Sequence, residues 1–135
     1  MKKLIFGLLV VFMLAACAGG TSASVTGQWK LVSYGPASSQ TPAAPNVDTS
    51  IEFKSGGPLS SNVGCNSFGG DYKVSGDTLT FGPMASTMMF CEGPVGDQEL
   101  GTLAVLKESA KFVMVGNKLT ITSGDGKSVI VLARK

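Results

Sequence analysis

The sequence predicts an α+β domain that is mostly antiparallel β, in which a curled sheet or split β-barrel packs against one helix. Three observations support this fold class. Short segments of alternating apolar and polar residues recur along the chain. Turns rich in glycine separate these segments, and one segment in the second half has helical spacing instead. The length of 135 residues suits one domain rather than two.

The first residues have the pattern of an export signal. Lys2 and Lys3 precede an apolar run, Leu4 to Ala16, that is shorter than the roughly 20 residues of a membrane-spanning helix. The run ends in Leu-Ala-Ala followed by Cys17, which resembles the bacterial lipobox. In such proteins the cysteine is lipidated and becomes the first mature residue. An ordinary secretory signal with a coincidental cysteine is the alternative.

These features divide the chain into three expected parts. They are a lipoprotein signal peptide at 1–16, a small polar tether at 17–24 and a folded domain at 25–135. Lipidation would hold the protein at a membrane, since stable anchoring takes more than one acyl chain. Ala18 follows the cysteine, where an aspartate would favour retention in the inner membrane. We expect the outer membrane, facing the periplasm, in a cell with two membranes, and otherwise the outer face of the cell membrane.

Removing the signal peptide changes the charge of the protein. The full chain has 11 Lys and Arg against 9 Asp and Glu, and cleavage removes two lysines, which leaves 9 against 9. A neutral mature chain predicts no nucleic-acid partner. It also predicts no charge-driven adsorption to anionic lipid.

Cysteine and histidine counts constrain the chemistry. Cys65 and Cys91 remain after lipidation of Cys17, and an exported compartment favours a disulfide between them over two buried thiols. The chain has no histidine, which excludes a Ser-His-Asp triad, a Cys-His pair and histidine-ligated zinc. We therefore expect no cofactor, no metal and no enzymatic activity.

Carboxylate catalysis is the remaining enzymatic alternative. The candidate acids and bases are Asp71, Asp77, Glu92, Asp97 and Glu99. Most of them fall at turns or near a helix start, where solvation or the helix dipole explains them.

The first half of the domain reads as strands and turns. Trp29 and Leu31 share one face of a half-buried strand, and Ile51 to Lys54 alternates in the same way. Between them, 35–49 contains three prolines and small uncharged residues, which predicts a disordered loop. A strand from Phe68 to Val74 is bent by two glycines and returns through a hairpin.

The second half contains the helix and the last strands. Met84, Met88 and Met89 precede Cys91, and core filling is the prediction for them, with an adaptable binding face as the alternative. A helix is expected from about Gly93 to Ser109, with Pro94 in its first turn. Its apolar face, which should cover the sheet, comprises Leu100, Leu103, Ala104 and Leu106. Three strands joined by glycine turns complete the chain, at 111–115, 118–122 and 128–133.

Several of these residues together resemble one family. The resemblance is carried by Trp29 and Leu31, Gly64-Cys65-Asn66 with Phe68, Gly70 and Tyr72, Thr87 with Met89 and Cys91, Glu99 with Leu106, and the hairpin at 116–121. This pattern is similar to that of the META-domain (HslJ-like) family. The resemblance implies a small split barrel with one helix. It also implies an exported protein or lipoprotein linked to heat shock, envelope stress or antibiotic resistance, with no established enzymatic activity.

The expected function is a non-enzymatic envelope lipoprotein with a monomeric domain that binds another envelope protein or acts in the response to stress or antibiotics. The alternative is a binder of a small molecule or acyl chain in an apolar cleft under the helix, lined by Met84, Met88, Met89, Phe90 and Phe112. Family-motif positions with a structural or binding role are Asn66, Phe68, Tyr72, Thr87, Met89 and Glu99. For Glu99 the expected role is a hydrogen bond from the helix to main-chain groups near Asn66 or Thr87.

Overall fold

The computed structural model describes residues 24–135. The predicted signal peptide, Cys17 and all of the tether before Ser24 lie outside the described residues. The strands are β1 (Gly27–Pro36), β2 (Thr41–Pro42), β3 (Ser50–Phe53), β4 (Pro58–Asn62), β5 (Ser67–Ser75), β6 (Thr78–Phe81), β7 (Ala85–Ser86), β8 (Ser109–Val115), β9 (Lys118–Ser123) and β10 (Ser128–Arg134), and the helix is α1 (Gly93–Val105).

Eight of the strands form a closed antiparallel barrel. Their order is β1-β3-β4-β5-β6-β8-β9-β10, and β10 pairs with β1 to close the ring. β2 adds to β1 and β7 adds to β5 outside this ring. The predicted fold class is confirmed, and the pairing of the first and last barrel strands leaves no open sheet edge between them.

Inward-facing side chains of the barrel strands fill its interior. Trp29 pairs with Ile51 across β1 and β3, and Leu31 pairs with Leu132 across β1 and β10. All four are buried in a single apolar cluster. This arrangement follows from the alternation in the sequence, because successive residues of a strand point to opposite faces of a sheet.

Two residues of the family motif belong to this core. Phe68 and Tyr72 are both buried in the apolar cluster. The Tyr72 ring meets the Phe53 ring edge to face, with 5.0 Å between centroids. Its hydroxyl donates to the Lys54 carbonyl at 2.9 Å. Both residues therefore stabilise the barrel.

The barrel has two distinct ends, which we call the base and the top. The strand register puts Gly27 beside Phe53, Ser75 beside Thr78 and Val115 beside Lys118, so the turns after these strands and both ends of the described chain lie at the base. The top carries the longer segments 37–49, 63–66 and 82–92, the turns 106–108 and 124–127, and α1.

Arg134 joins the two ends of the described chain at the base. Its guanidinium lies 3.9 Å from the centroid of the Trp29 ring. The same group donates to the carbonyls of Thr26 at 2.6 Å and Ser24 at 3.1 Å. The chain therefore enters the described structure at the base, held against the last strand.

The helix buries polar residues, so the predicted apolar face is only partly correct. Leu103 packs against the core and Leu106, directly after the helix, is fully buried, but Ala104 is exposed. Leu100 is exposed, whereas Gln98, Glu99 and Thr102 are buried with Gly96 and Val105. Gln98 explains this choice, because its amide donates to the Val63 carbonyl at 2.5 Å and accepts from the Ala44 amide at 2.7 Å. The helix covers loop ends whose main-chain groups have no strand partner, and polar side chains satisfy them.

Tyr34 also packs against the helix. Its ring fills the space beside Gly101, where a Cβ would lie 2.6 Å from a ring carbon. Burial raises the pKa of the Tyr34 phenol, and the nearby Asp97 carboxylate raises it further. The helix ends at Val105, earlier than the predicted Ser109, and Pro94 occupies its first turn as predicted.

The proline-containing segment 35–49 is ordered, contrary to the prediction. β1 continues through Pro36, and β2 pairs with it. The amide of Ala43 donates to the Val32 carbonyl at 2.8 Å. Main-chain bonds to β1 and to Gln98 therefore hold a segment whose composition is typical of disorder. Within 24–135, no helix has the length and hydropathy that a membrane span requires.

We predict that Asp77 makes the stability of the barrel depend on acid pH. Asp77, in the turn between β5 and β6, pairs with Lys111 of β8 at 2.8 Å, and hydrogen bonds from Lys111 and Thr78 lower the pKa of its carboxyl. A lowered folded-state pKa contributes stability above the unfolded pKa of about 4, and this contribution is lost as the pH falls through the folded value.

Urea unfolding of Asp77→Asn and of the wild type from pH 7 to pH 2 tests this. The wild type should be the more stable at neutral pH, and the difference should vanish in acid and shrink in high salt. Asp71→Asn is the control, because Asp71 is exposed and makes no ion pair within residues 24–135. A difference that grows in acid would contradict the prediction.

Candidate functional site

Asn66 is the centre of a hydrogen-bond network at the top of the barrel. Its side-chain carbonyl accepts from the Met89 amide at 2.7 Å and from the Thr87 hydroxyl at 2.9 Å. Its side-chain amide donates to the Met89 carbonyl at 3.0 Å and to Glu99 Oε1 at 2.7 Å. These four bonds use the full capacity of the side chain. One residue therefore positions two segments of the chain.

Glu99 connects this network to the helix. Its carboxylate accepts from the Asn66 main-chain amide at 2.7 Å through Oε2, in addition to the side-chain bond through Oε1. Glu99 is 6% exposed. Gly64 allows this approach, because a Cβ there would lie 2.6 Å from Glu99 Oε2. The structure thus gives Glu99 the main-chain contact that the sequence predicted.

Thr87 links the network back to β5. Its hydroxyl accepts from the Ser67 amide at 3.1 Å while donating to Asn66. The Thr87 amide donates to the Ser67 carbonyl at 3.0 Å, which extends the short pairing between β7 and β5. Thr87 therefore fixes where the following loop leaves the sheet.

A disulfide fixes the far side of the same loop. Cys65 and Cys91 are bonded, as the sequence predicted, with 5.7 Å between their Cα atoms. The main chain of Cys91 also packs directly against the helix at Gly96, where any Cβ would collide with the Cys91 carbonyl. Residues 87–91 are therefore attached at both ends and in the middle.

The loop held in this way presents apolar side chains to solvent. We call Met88, Met89 and Phe90 the apolar loop. Their exposed fractions are 96%, 59% and 88%. The prediction of core filling is thus wrong for Met88 and Met89, and only Met84 packs against the core. An open cleft is lined by the apolar loop together with Met84, Ser86, Thr87, Asn66 and Glu99, so four of the five residues predicted for an apolar cleft do line one.

The candidate residues do not all converge at this site. Phe112 lies on β8, packed against the core, rather than in the cleft. Asp77 is at the base in its ion pair with Lys111. Within residues 24–135, no three Asp, Glu, Cys or His side chains gather in a way that could hold a metal ion. The cleft combines apolar walls with one carboxylate that is already hydrogen-bonded, which suits binding of an apolar surface.

Comparison with known sequences identifies the domain. The sequence profile of the META domain matches residues 23–135. The chain belongs to the META-domain family. The two halves of the motif, Gly64-Cys65-Asn66 and Thr87 with Met89 and Cys91, are the segments that the network and the disulfide join. No curated protein matches the chain significantly.

Solved structures show the same fold. An NMR structure of a protein from Burkholderia xenovorans gives a TM-score of 0.65 at 20% identity, over 81% of this chain and 81% of that chain. Another NMR structure gives 0.60 at 24% identity, over 78% of this chain and 86% of that chain. A crystal structure of a DUF4847 family protein from Bacteroides vulgatus gives 0.56 at 14% identity, over 82% and 93%. At these identities the likeness concerns the fold alone.

Sequence reasoning missed two parts of the site in this META domain. Gln98 was not singled out, although it is fully buried and bonds two loops. Its signal would have been a polar pair, Gln98 and Glu99, in the helix beside two glycines that permit close approach. The exposure of Met88 and Phe90 has no local signal, because it depends on where Asn66 holds the loop.

We predict that Asn66→Ala destabilises the domain by about 2–4 kcal/mol, because it leaves buried main-chain and carboxylate groups at Met89 and Glu99 with fewer partners. Chemical denaturation of the oxidised protein measures the change. Asn62→Ala is the matched control, since Asn62 is exposed and, within residues 24–135, its side chain bonds only the Ser67 hydroxyl, at 3.3 Å. Equal effects of the two substitutions would show that the network does not stabilise the fold.

We predict that replacing Cys65 and Cys91 together by serine costs about 3 kcal/mol, because the disulfide closes a separation of 26 residues. The loss should appear as a lower denaturation midpoint in the oxidised protein. The double variant and the reduced wild type should then coincide. A midpoint that is unchanged on reduction would argue that the other contacts alone hold the loop.

Proposed function

We propose that this protein is a non-enzymatic lipoprotein of the cell envelope whose META domain binds another protein through the apolar loop. The observation that carries the proposal is the exposure of three consecutive large apolar residues, Met88, Met89 and Phe90. Single exposed apolar residues are common, but a contiguous exposed group marks a contact surface.

The apolar loop is held in one conformation by hydrogen bonds to Asn66 and by the disulfide. Met89 is bonded through both its amide and its carbonyl to the Asn66 side chain. The disulfide at Cys91 holds the end of the loop. A surface that is already fixed in its binding conformation loses less entropy when a partner binds. The network therefore supports binding even though its own atoms are mostly buried.

The side chains on the loop suit protein recognition. Phe90 offers a large aromatic anchor, a residue type enriched at interfaces, and Met88 offers a flexible side chain that fits irregular surfaces. The polar groups of the cleft, Asn66 and Glu99, are satisfied within the domain. A partner that covers the loop would therefore not have to supply hydrogen bonds to Asn66 or Glu99, because both are already bonded within the domain.

The position of the loop supports a partner in the envelope. The chain enters the described structure at the base, whereas the apolar loop lies at the top. If Cys17 carries a lipid, the loop then faces away from the membrane that holds the anchor. The membrane would be the outer one, facing the periplasm, in a cell with two membranes.

The contacts of Glu99 support a role without catalysis. Both of its oxygens accept hydrogen bonds from Asn66, so the carboxylate acts as a structural acceptor between helix and loop. The link to envelope stress or antibiotic resistance rests on the family resemblance. Survival of a deletion strain under heat and envelope-directed antibiotics, with wild-type complementation, measures that role.

The alternative, binding of a small molecule or acyl chain, has one observation in its favour, which is the apolar wall of the cleft. The space beneath the helix is occupied, however, by Gln98, Thr102 and Val105. The cleft itself is open on its outer side. This shape favours contact with a surface over enclosure of a ligand.

We predict that a photoreactive amino acid at Met89 crosslinks to one recurring envelope protein in living cells. The substitutions Met88→Ser and Phe90→Ser, made together in the same protein, should abolish the adduct and leave the unfolding midpoint unchanged, because both side chains are exposed. The identity of the adduct is read by mass spectrometry.

The matched control places the same probe at Val113, which is 62% exposed on β8 and lies far from the loop. Equal crosslinking from both positions, or none from Met89, would overturn protein binding through the loop. A small-molecule or lipid adduct from Met89 would favour the alternative instead.

A further inference from the structure

The neutral charge of the mature chain hides a strong asymmetry between the two ends of the barrel. Of the nine basic residues after Cys17, only Lys107 and Lys127 lie at the top. Five of the nine acidic residues lie there, namely Glu92, Asp97, Glu99, Glu108 and Asp125. Asp48 falls near the end of segment 37–49 but is paired with Lys135 of the base, so it is counted with the base. The top therefore carries a net charge of −3, from two basic and five acidic residues, and the rest of the barrel carries +3, from seven and four.

The positive charge is concentrated at the base. Three of the four acidic residues outside the top are neutralised in ion pairs, Glu52 with Lys54, Asp77 with Lys111 and Asp48 with Lys135. Lys30, Lys73 and Lys118 are exposed and make no ion pair within residues 24–135. Lys118 opens β9 beside the base turn, Lys73 lies near the end of β5, and Lys30 lies near the start of β1.

The chain enters the folded domain at this same end. Arg134 holds the carbonyls of Ser24 and Thr26 against the last strand. Six residues lie between Cys17 and Ser24 in the sequence, and even a fully extended chain between these two positions spans at most about 25 Å. An anchor at Cys17 would therefore keep the basic end within a short distance of the lipid headgroups.

We infer that the base of the barrel docks on the anionic surface of the membrane to which the chain is anchored, with Lys30, Lys73 and Lys118 facing the headgroups. The inference extends the proposed function, because it takes the lipid anchor from it. It revises the expectation from composition that charge plays no part at the membrane. A protein with no net charge can still adsorb to an anionic membrane when its basic and acidic residues lie at opposite ends. Salt screens the residues at the far end, so the basic residues near the headgroups dominate the interaction.

Docking of the base has a consequence for the apolar loop. The top carries the net negative charge, which an anionic surface repels. Attraction at the base and repulsion at the top act in the same direction, so the domain stands with Met88 and Phe90 pointing outward. A tether alone would let the domain lie on any side, whereas the charge asymmetry selects one orientation.

The test uses the full chain as a cell exports it, reconstituted in vesicles of phosphatidylcholine alone or of phosphatidylcholine with phosphatidylglycerol. A membrane-impermeant reagent acylates exposed lysines, and mass spectrometry reports the rate at each one. We expect acylation of Lys30, Lys73 and Lys118 to slow roughly fivefold or more in the anionic vesicles. Lys107 and Lys127 serve as internal controls and should react at unchanged rates. Salt at about 0.5 M should remove the protection.

Matched variants separate orientation from net charge. The substitutions Lys73→Glu and Lys118→Glu, made together, should abolish the protection of Lys30 from acylation. The substitutions Lys107→Glu and Lys127→Glu, made together, change the net charge by the same amount and should leave Lys30 protected. Equal rates at both ends, or no difference between the two vesicle types, would overturn the inference.

Flotation of the wild type with each vesicle type tests the anchor separately. Flotation with phosphatidylcholine alone shows that the anchor is present. Flotation only with anionic vesicles would contradict the lipid anchor of the proposed function and would support docking of the basic end. The absence of flotation with both types would overturn the anchor and the inference together.

Discussion

The contact between Asn66 and Glu99 is the constraint on which the top of the molecule depends. A barrel closed by β1 and β10 satisfies its main-chain groups along the strands, but the segments that leave the strands at the top have no such partners. The helix supplies them through side chains, with Glu99 accepting the Asn66 amide and Gln98 bonding Val63 and Ala44. The polar face of the helix is thus a requirement of its position, because an apolar face would leave these groups buried without hydrogen bonds.

The same requirement explains which parts of the structure were predictable from the sequence. Strands such as 51–53 and 118–123 and the turn at Gly116 have local signals in alternation and glycine placement, and each is present. The disulfide was predictable from two cysteines in a chain whose first residues have the pattern of an export signal. The inward face of the helix was only partly predictable. Leu103 packs against the core as its spacing indicates, but Leu100 is exposed, because the distant loops decide that Gln98 turns inward. The segment at 35–49 was misjudged for a similar reason, since its order comes from β1 and Gln98 rather than from its own composition.

The candidate site divides in the same way. The motif residues Cys65, Asn66, Thr87 and Glu99 could be named from the sequence, and they do meet in space. The exposure of the apolar loop could not be inferred, because methionines ordinarily fill gaps in the core. Asn66 reverses this tendency by bonding the main chain of Met89, which directs the neighbouring side chains outward. The buried network and the exposed surface are two consequences of one asparagine.

The two ends of the barrel then differ in a way that follows from the fold rather than from composition. Short hairpin turns at the base place lysines such as Lys118 there, while the helix and its flanking segments place Glu92, Asp97 and Glu108 at the top. Chain entry occurs at the base because Arg134 binds Ser24 and stacks on Trp29. A protein anchored at that end meets its membrane with positive charge and presents a rigid apolar surface at the other end. In such an arrangement the buried asparagine and disulfide determine the shape of the contact surface, and the charge distribution determines where that surface points.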